Sequence, residues 1–293
     1  MNPGLVLSFC NKRWTDPLDL ASLCRNKLSV DKVQFTWDMV NPLWSSNLRN
    51  RLAKSYAEAF RAEEIEIPVF FSGMSAYVYP GLLGETKEER KLGMDCFKKA
   101  INTAAEMSVP QVGAALGCMS DRDAQDPIKR EEHYERLLEQ MNELSLYAYE
   151  CGIESLSVEP TPVFSEIPNT LAESLRMMND LNGNTSVPIK LMLDIGHILC
   201  QSFEGDTHDV LCWLDGCKGH ISGVHLQQCD GIMDRHWPFD CPGLITKELI
   251  YNISKHPAMF DVAQYLEYCP AFETPNDQVL HHVKASLAWL RQI

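Results

Sequence analysis

The 293-residue chain is 45% hydrophobic and 23% charged, an average soluble composition that excludes a disordered chain and is long enough to bury a large core. With 40 acidic residues against 26 Lys and Arg, the net charge is −14, which repels a phosphate backbone and argues against nucleic acid as a partner. No apolar run reaches the roughly 18 residues that span a bilayer, and the opening MNPGLVLSFCNKRW lacks the basic leader and apolar stretch of a signal peptide, so neither a membrane nor secretion is expected.

In chain order, β-rich runs at 5–10, 32–37, 66–72, 111–116, 154–159, 189–194, 221–227 and 261–267 alternate with segments of helical period. The helical segments lie near 16–28, 47–61, 86–107, 127–151, 169–182, 207–217, 246–256 and 277–291. Thr86 followed by Glu89, and Asn169 followed by Glu173, read as helix caps. Strict βα alternation implies parallel strands joined by right-handed crossovers. Eight such units without a linker tract predict an α/β fold, a (β/α)8 TIM barrel forming one domain over 1–293. The runner-up, an open doubly wound sheet, lacks its glycine-rich turn: the first strand leads into Asn11-Lys12-Arg13-Trp14. Eleven cysteines form no CxxC pair and are odd in number, and Cys10, Cys200 and Cys269 sit in apolar runs. Reduced thiols in a cytoplasmic protein are therefore expected.

Chemistry in a barrel gathers at the C-terminal strand ends. The fifth run ends at Glu159, the sixth at Asp194, the seventh carries His225 and the eighth ends at Glu267. Three partly buried carboxylates on one rim repel one another unless a cation lies among them. Their oxygens with one imidazole suit a single divalent ion: Mn2+, Mg2+, Co2+ or Zn2+. Around this set lie His197, Asp234, Arg235 and His236. Arg235 is placed either to grip a phosphate or carboxylate, or to pair with Asp230 or Asp234 and hold its loop. His197 and His236 are candidate donors to substrate oxygens. Lys12 and Arg13 fall on the same rim, and the apolar segment 72–84 after the third run is a candidate lid. The other histidines (His133, His208, His220, His256, His281 and His282) read as surface or structural. Cys118 and Cys229 lack a histidine base, and no GxSxG elbow occurs, so nucleophilic catalysis is not expected.

Such an ion suits proton transfer beside a carbonyl, with Glu159 and Glu267 as the acid–base pair acting through a cis-enediolate. Returning the proton to the same carbon gives epimerisation, and returning it to the neighbour gives aldose–ketose isomerisation. The strings SVEP (157–160), LDIGH (193–197), VHLQQCDG (224–231), DRHWPF (234–239) and YLEY (265–268) resemble the xylose-isomerase-like TIM-barrel superfamily of sugar and sugar-phosphate isomerases and epimerases, which also holds endonuclease IV-type repair enzymes. NKRW at 11–14 and VQFTWDMVNP at 33–42 resemble its tetrulose-phosphate branch.

The resemblance implies that Glu159, Asp194, His225 and Glu267 bind the metal, that the two glutamates move the proton, and that His197 and Arg235 contact substrate. It implies a small sugar or sugar phosphate as ligand, with a four-carbon ketose phosphate favoured. Barrels of this kind often form symmetric dimers or tetramers, which leaves a homo-oligomer open; the sequence does not fix the oligomeric state. Three-metal members carry histidines after strands three and four; this chain has none there, which speaks against phosphodiester cleavage. His197, Asp234 and His236 remain as a candidate second metal set. The rival readings are an endonuclease IV-like phosphodiesterase and a non-catalytic sugar-binding barrel.

Overall fold

A computed structural model describes residues 1–74, 81–200 and 208–293. Eight parallel strands close into a barrel in sequence order. They are β1 (Gly4–Val6), β2 (Lys32–Thr36), β3 (Glu66–Phe71), β4 (Gln111–Ala114), β5 (Ser155–Val158), β6 (Ile189–Asp194), β7 (Ile221–Leu226) and β8 (Ala263–Leu266). Closure runs through β1 and β8, with Gly4 opposite Tyr265 and Leu5 opposite Leu266. The helices are α1 (Pro17–Ser22), α2 (Ser46–Ala62), α3 (Lys87–Met107), α4 (Asp121–Gln125), α5 (Pro127–Glu150), α6 (Leu171–Leu181), α7 (Ile195–Leu199), α8 (Val210–Gly216), α9 (Lys247–Lys255) and α10 (Asn276–Leu290).

The predicted architecture holds, with local corrections. The first run is strand only over Gly4–Val6; Leu7–Cys10 coils into a 3-10 turn that puts Ser8 at the barrel mouth. The short helices α4 and α7 were not expected, because one turn leaves no readable period. Thr86 and Glu89 form the predicted capping box. The cap of α6 is Thr170 rather than Asn169, whose backbone N–H instead donates to Glu173 Oε2. No disulfide joins the eleven cysteines, all of which lie among the described residues. Among the described residues no helix is long and apolar enough to cross a membrane. Of the candidate lid, residues 75–80 lie outside the described residues.

Two apolar layers hold the barrel. The larger lies between strands and helices; a smaller one, Val6, Val69, Phe71, Met192 and Tyr265, fills the interior. Large side chains need small ones opposite them. A Cβ on Gly4 would lie 2.6 Å from the Tyr265 ring, and one on Gly113 would lie 2.3 Å from Phe71. Gly223 likewise leaves room for Met192, whose Sδ would be 2.8 Å from an added Cβ. This packed floor stands directly beneath the functional side chains, and Phe71 meets the His225 ring edge-on at 5.5 Å.

Gly113→Ala should therefore lower stability by roughly 1–3 kcal/mol, since overpacking forces neighbouring rings off their rotamers. Denaturant unfolding measures this, and an unchanged midpoint would contradict the packing described.

Candidate active site

Strand alternation brings four predicted residues together. Asp194 ends β6 and His225 lies in β7, where the two pair across the sheet. Glu159 and Glu267 sit one residue beyond β5 and β8, yet their backbone N–H groups still donate to Ala114 O and Leu226 O, so the sheet fixes both. One ligand atom from each of the four lies within 4.8 Å of all the others. Asp194 and His225 are 1% exposed, and Glu159 8%.

The geometry centres on His225 Nδ1. It lies 2.8 Å from Glu159 Oε1, 3.0 Å from Glu267 Oε2 and 3.9 Å from Asp194 Oδ2. One ring nitrogen offers one proton or one lone pair, and cannot satisfy three carboxylates. Its other nitrogen, Nε2, lies 3.0 Å from Gln34 Oε1. Donation there leaves the Nδ1 lone pair facing the carboxylates, as in a metal-ligating histidine held by an outer partner. The donor set thus fits a divalent cation. Without one, protons fill the role. Burial opposes a charged His225, but Glu267 and Glu159 outweigh it and lift its pKa well above the ordinary value. Burial pushes the Glu267 carboxyl up, yet His225 and His236 bring it down to about 2. Burial raises the Asp194 carboxyl above the usual range.

A second tier is built on Asp234 and Gln227. His197 Nε2 and His236 Nε2 lie 3.1 and 2.9 Å from the same oxygen, Asp234 Oδ2. His197 Nδ1 faces Pro160 O at 3.2 Å. Both its ring nitrogens therefore face acceptors, the arrangement of an imidazolium, and Asp194 and Asp234 raise its pKa well above the ordinary value against the effect of burial. Gln227 Nε2 donates to Asp194 Oδ1 at 3.0 Å and to Asp234 Oδ1 at 2.8 Å, while its Oε1 accepts from His236 N. A Cβ on Gly196 would lie 2.5 Å from Gln227 Cδ, so the glycine of LDIGH makes space for this hub. Asp194 also caps α7, its Oδ1 accepting from Gly196 N and His197 N.

Arg235 is paired with Asp230, its Nε at 2.9 Å and Nη2 at 2.7 Å from Oδ2, and its guanidinium lies 5.2 Å from the Trp237 ring centre. Arg13 donates to Thr274 O, Ala271 O and Asn276 Oδ1, tying the β1 end to the segment after β8, and Lys12 Nζ lies 4.7 Å over Phe272. A cleft of 410 Å³ opens above the four-residue cluster; Glu159, Glu267, His197, Asp234, Arg235 and His236 line it together with Ser8 and Cys269. His133, read as structural, is buried against Asp123 at 3.1 Å. Burial lifts the Cys229 thiol to about 11.

Sequence reasoning missed Gln34, Gln227, Ser8 and Cys269. The first two had a signal. Gln227 follows His225 by two and so shares its face, and Gln34 is a polar residue inside an apolar strand. Glu166 was also missed: it is buried, donated to by the Thr161 hydroxyl at 2.7 Å, and pushed up to about 7 by that burial.

A pH dependence follows for the metal-free protein. Burial disfavours a charged His236, but Glu267 and Asp234 raise its pKa to about 9, against about 6.5 in an unfolded chain. A raised folded pKa means stabilisation that is complete below about pH 6.5 and lost as pH climbs to about 9. Chelator-treated protein should melt at lower temperature at pH 9 than at pH 6.5, and His236→Gln should flatten that slope. A wild-type melting temperature constant across this window would refute the assignment.

A family model described as Xylose isomerase-like TIM barrel matches residues 27–293. A crystal structure from Rhodospirillum rubrum, provisionally named a xylose isomerase, is 37% identical, superposes with a TM-score of 0.97 and covers 100% of this chain and 99% of its own. The D-erythrulose 1-phosphate 3-epimerase of Brucella abortus is 23% identical over 94% of this chain and 91% of its own length. The D-psicose 3-epimerase of Clostridium cellulolyticum, solved with D-tagatose, shares the fold at a TM-score of 0.74 and 16% identity, covering 100% of this chain and 99% of its own. By its family match and its closed eightfold sheet, the chain belongs to the xylose isomerase-like TIM-barrel family.

Proposed function

We propose that this protein is a divalent-metal-dependent 3-epimerase of a small ketose or ketose phosphate, with a tetrulose phosphate as the favoured substrate. It is an enzyme of the sugar isomerase and epimerase class, and the finer reading rests on its own side chains together with its likeness to the erythrulose-phosphate epimerase. One observation carries it. Glu159 and Glu267 come from strands separated by two others, and both face one cleft around a single imidazole nitrogen.

Glu159, Asp194, His225 and Glu267 hold the ion, which when bound supplies a Lewis acid that polarises the substrate ketone. One glutamate takes the proton from the carbon beside the carbonyl. The C–H electron pair becomes the C=C bond of an enediolate, and the carbonyl oxygen gains the charge. The other glutamate, protonated, returns a proton to the opposite face of the same carbon, and the two exchange roles in reverse. The ring of His236, steadied by Asp234, donates to a substrate oxygen and sets the sugar between the glutamates, while His197, its two N–H groups held by Asp234 and Pro160 O, keeps Asp234 in place. Gln227 positions Asp194 and Asp234 together. We assign His197, Asp234 and His236 to substrate positioning, because a second catalytic ion there would have to displace both imidazole hydrogen bonds to Asp234. Manganese or magnesium should accordingly load at one ion per chain.

The test is solvent-deuterium exchange into three- to six-carbon ketoses and their phosphates with Mn2+, Mg2+ or Co2+. Glu159→Gln and Glu267→Gln should each cut exchange by about 10²–10⁴, the usual worth of a positioned acid or base. Elemental analysis of each variant separates lost proton transfer from lost metal. No exchange with any ketose would sink the proposal, and a variant that holds metal and exchanges normally removes that glutamate from it.

Arg235 reaches the cleft while anchored on Asp230, which suits it to a substrate phosphate. Arg235→Ala should raise KM several-fold more for phosphorylated than for free ketoses; an equal effect on both would end the phosphate role.

A further inference from the structure

Above the four-residue cluster the cleft holds a second, chemically different group of donors. His236, Glu267 and Cys269 each offer a ligand atom, and these atoms lie within 4.8 Å of one another. Two are soft or borderline, whereas the cluster below is three oxygens and one nitrogen. The group is held rigidly: Cys269 N donates to His236 O at 3.3 Å, joining the loop after β7 to the segment after β8 at the two residues concerned. His236 Nε2 is spent on Asp234, whereas its buried Nδ1 makes no hydrogen bond among the described residues and lies 3.7 Å from Glu267 Oε2. Beside them Ser8, 7% exposed, lines the same cleft with its hydroxyl against the Cys269 thiol. A buried imidazole nitrogen left without a hydrogen bond, beside a carboxylate and a thiol, is an orphan that a cation would satisfy.

We propose that Cys269, His236 and Glu267 form a second cation site, next to the hard-ion site and selective for thiophilic divalent ions of the Zn2+ and Cd2+ type. Thiolate, imidazole and carboxylate are the tetrahedral donor set such ions take, and the fourth position falls to water or to Ser8. The thiol binds as thiolate, its proton leaving to buffer. Mg2+ and Mn2+ prefer the oxygen-rich cluster below and leave this one alone. Glu267 is shared, so a soft ion here occupies one proton-transfer group and part of the substrate's space, and inhibits. That last consequence rests on the function proposed above; the site itself does not.

The full-length protein, saturated with Mg2+, is titrated with Cd2+ and followed by the ultraviolet thiolate-to-metal charge-transfer band. Wild type should show one tight equivalent that is lost in Cys269→Ser and kept in Asp194→Asn. His236→Ala should weaken Cd2+ binding at least about tenfold, as loss of a metal-supporting group does. An identical tight equivalent in Cys269→Ser overturns the site. So does its loss in Asp194→Asn, which would make the thiol an added ligand of the first ion. Should Cys269→Ser fail to fold by circular dichroism, unchanged Cd2+ affinity in His236→Ala overturns the proposal equally. A Cd2+ equivalent bound as expected but without inhibition of deuterium exchange leaves the site standing and instead counts against the cleft as the reaction chamber.

Discussion

Three carboxylates converge on one imidazole nitrogen at the mouth of the barrel, and nearly everything around them answers to that crowding. Unpaired, each buried carboxylate would be strongly disfavoured, and together they would repel. The fold meets the cost in two ways. Hydrogen-bond donors take up part of each charge: Gln227 and the first turn of α7 serve Asp194, while His225 serves the two glutamates. What remains is a net negative pocket whose donor set suits a doubly charged ion. The same excess charge keeps His197, His225 and His236 cationic when no metal compensates it, so protons and metal compete for one electrostatic role.

Gln227 links the two tiers. Its amide nitrogen touches Asp194 in the lower tier and Asp234 in the upper, while its oxygen fixes the backbone of His236, which sits at a left-handed φ of 46°. A non-glycine residue in that region is held there by its surroundings. The backbone of His236 is thus held by the same hub that binds Asp194 and Asp234, and substituting Gln227 would disturb all three at once. Gly196 belongs to the same device, since any side chain at that position would meet the amide.

The barrel and the meeting of four polar residues at its mouth were legible because both depend on short-range pattern. Eight βα repeats fix the topology, and a polar residue closing an apolar run marks a strand end, which is how Glu159, Asp194, His225 and Glu267 stood out together. The sequence could not show which rim cations are already engaged. Arg13 and Arg235 look alike as free guanidiniums in the text of the chain, yet one is bound to carbonyls across the barrel closure and the other to Asp230. Those partners are set by loop conformation, with Asp230 capping its own turn through Ile232 N and Met233 N before it meets Arg235. Gln34 stayed hidden for another reason: its importance comes from His225, 191 residues away.

Alternation explains why the site has layers. On β8 and beyond, Tyr265, Glu267 and Cys269 are each two residues apart and face the interior in turn as floor, charged cluster and rim. On β7 the same rhythm gives Gly223, His225 and Gln227, and on β6 it gives Met192 and then Asp194. Each strand thus writes one residue into an apolar layer and one into an oxygen-rich layer, and β7 and β8 add a mixed layer above. A one-residue slip in register would turn every ligand outward, so the packed floor and the charged cluster specify the same alignment. On the two proposals made above, ions of different hardness would sort by height in the barrel.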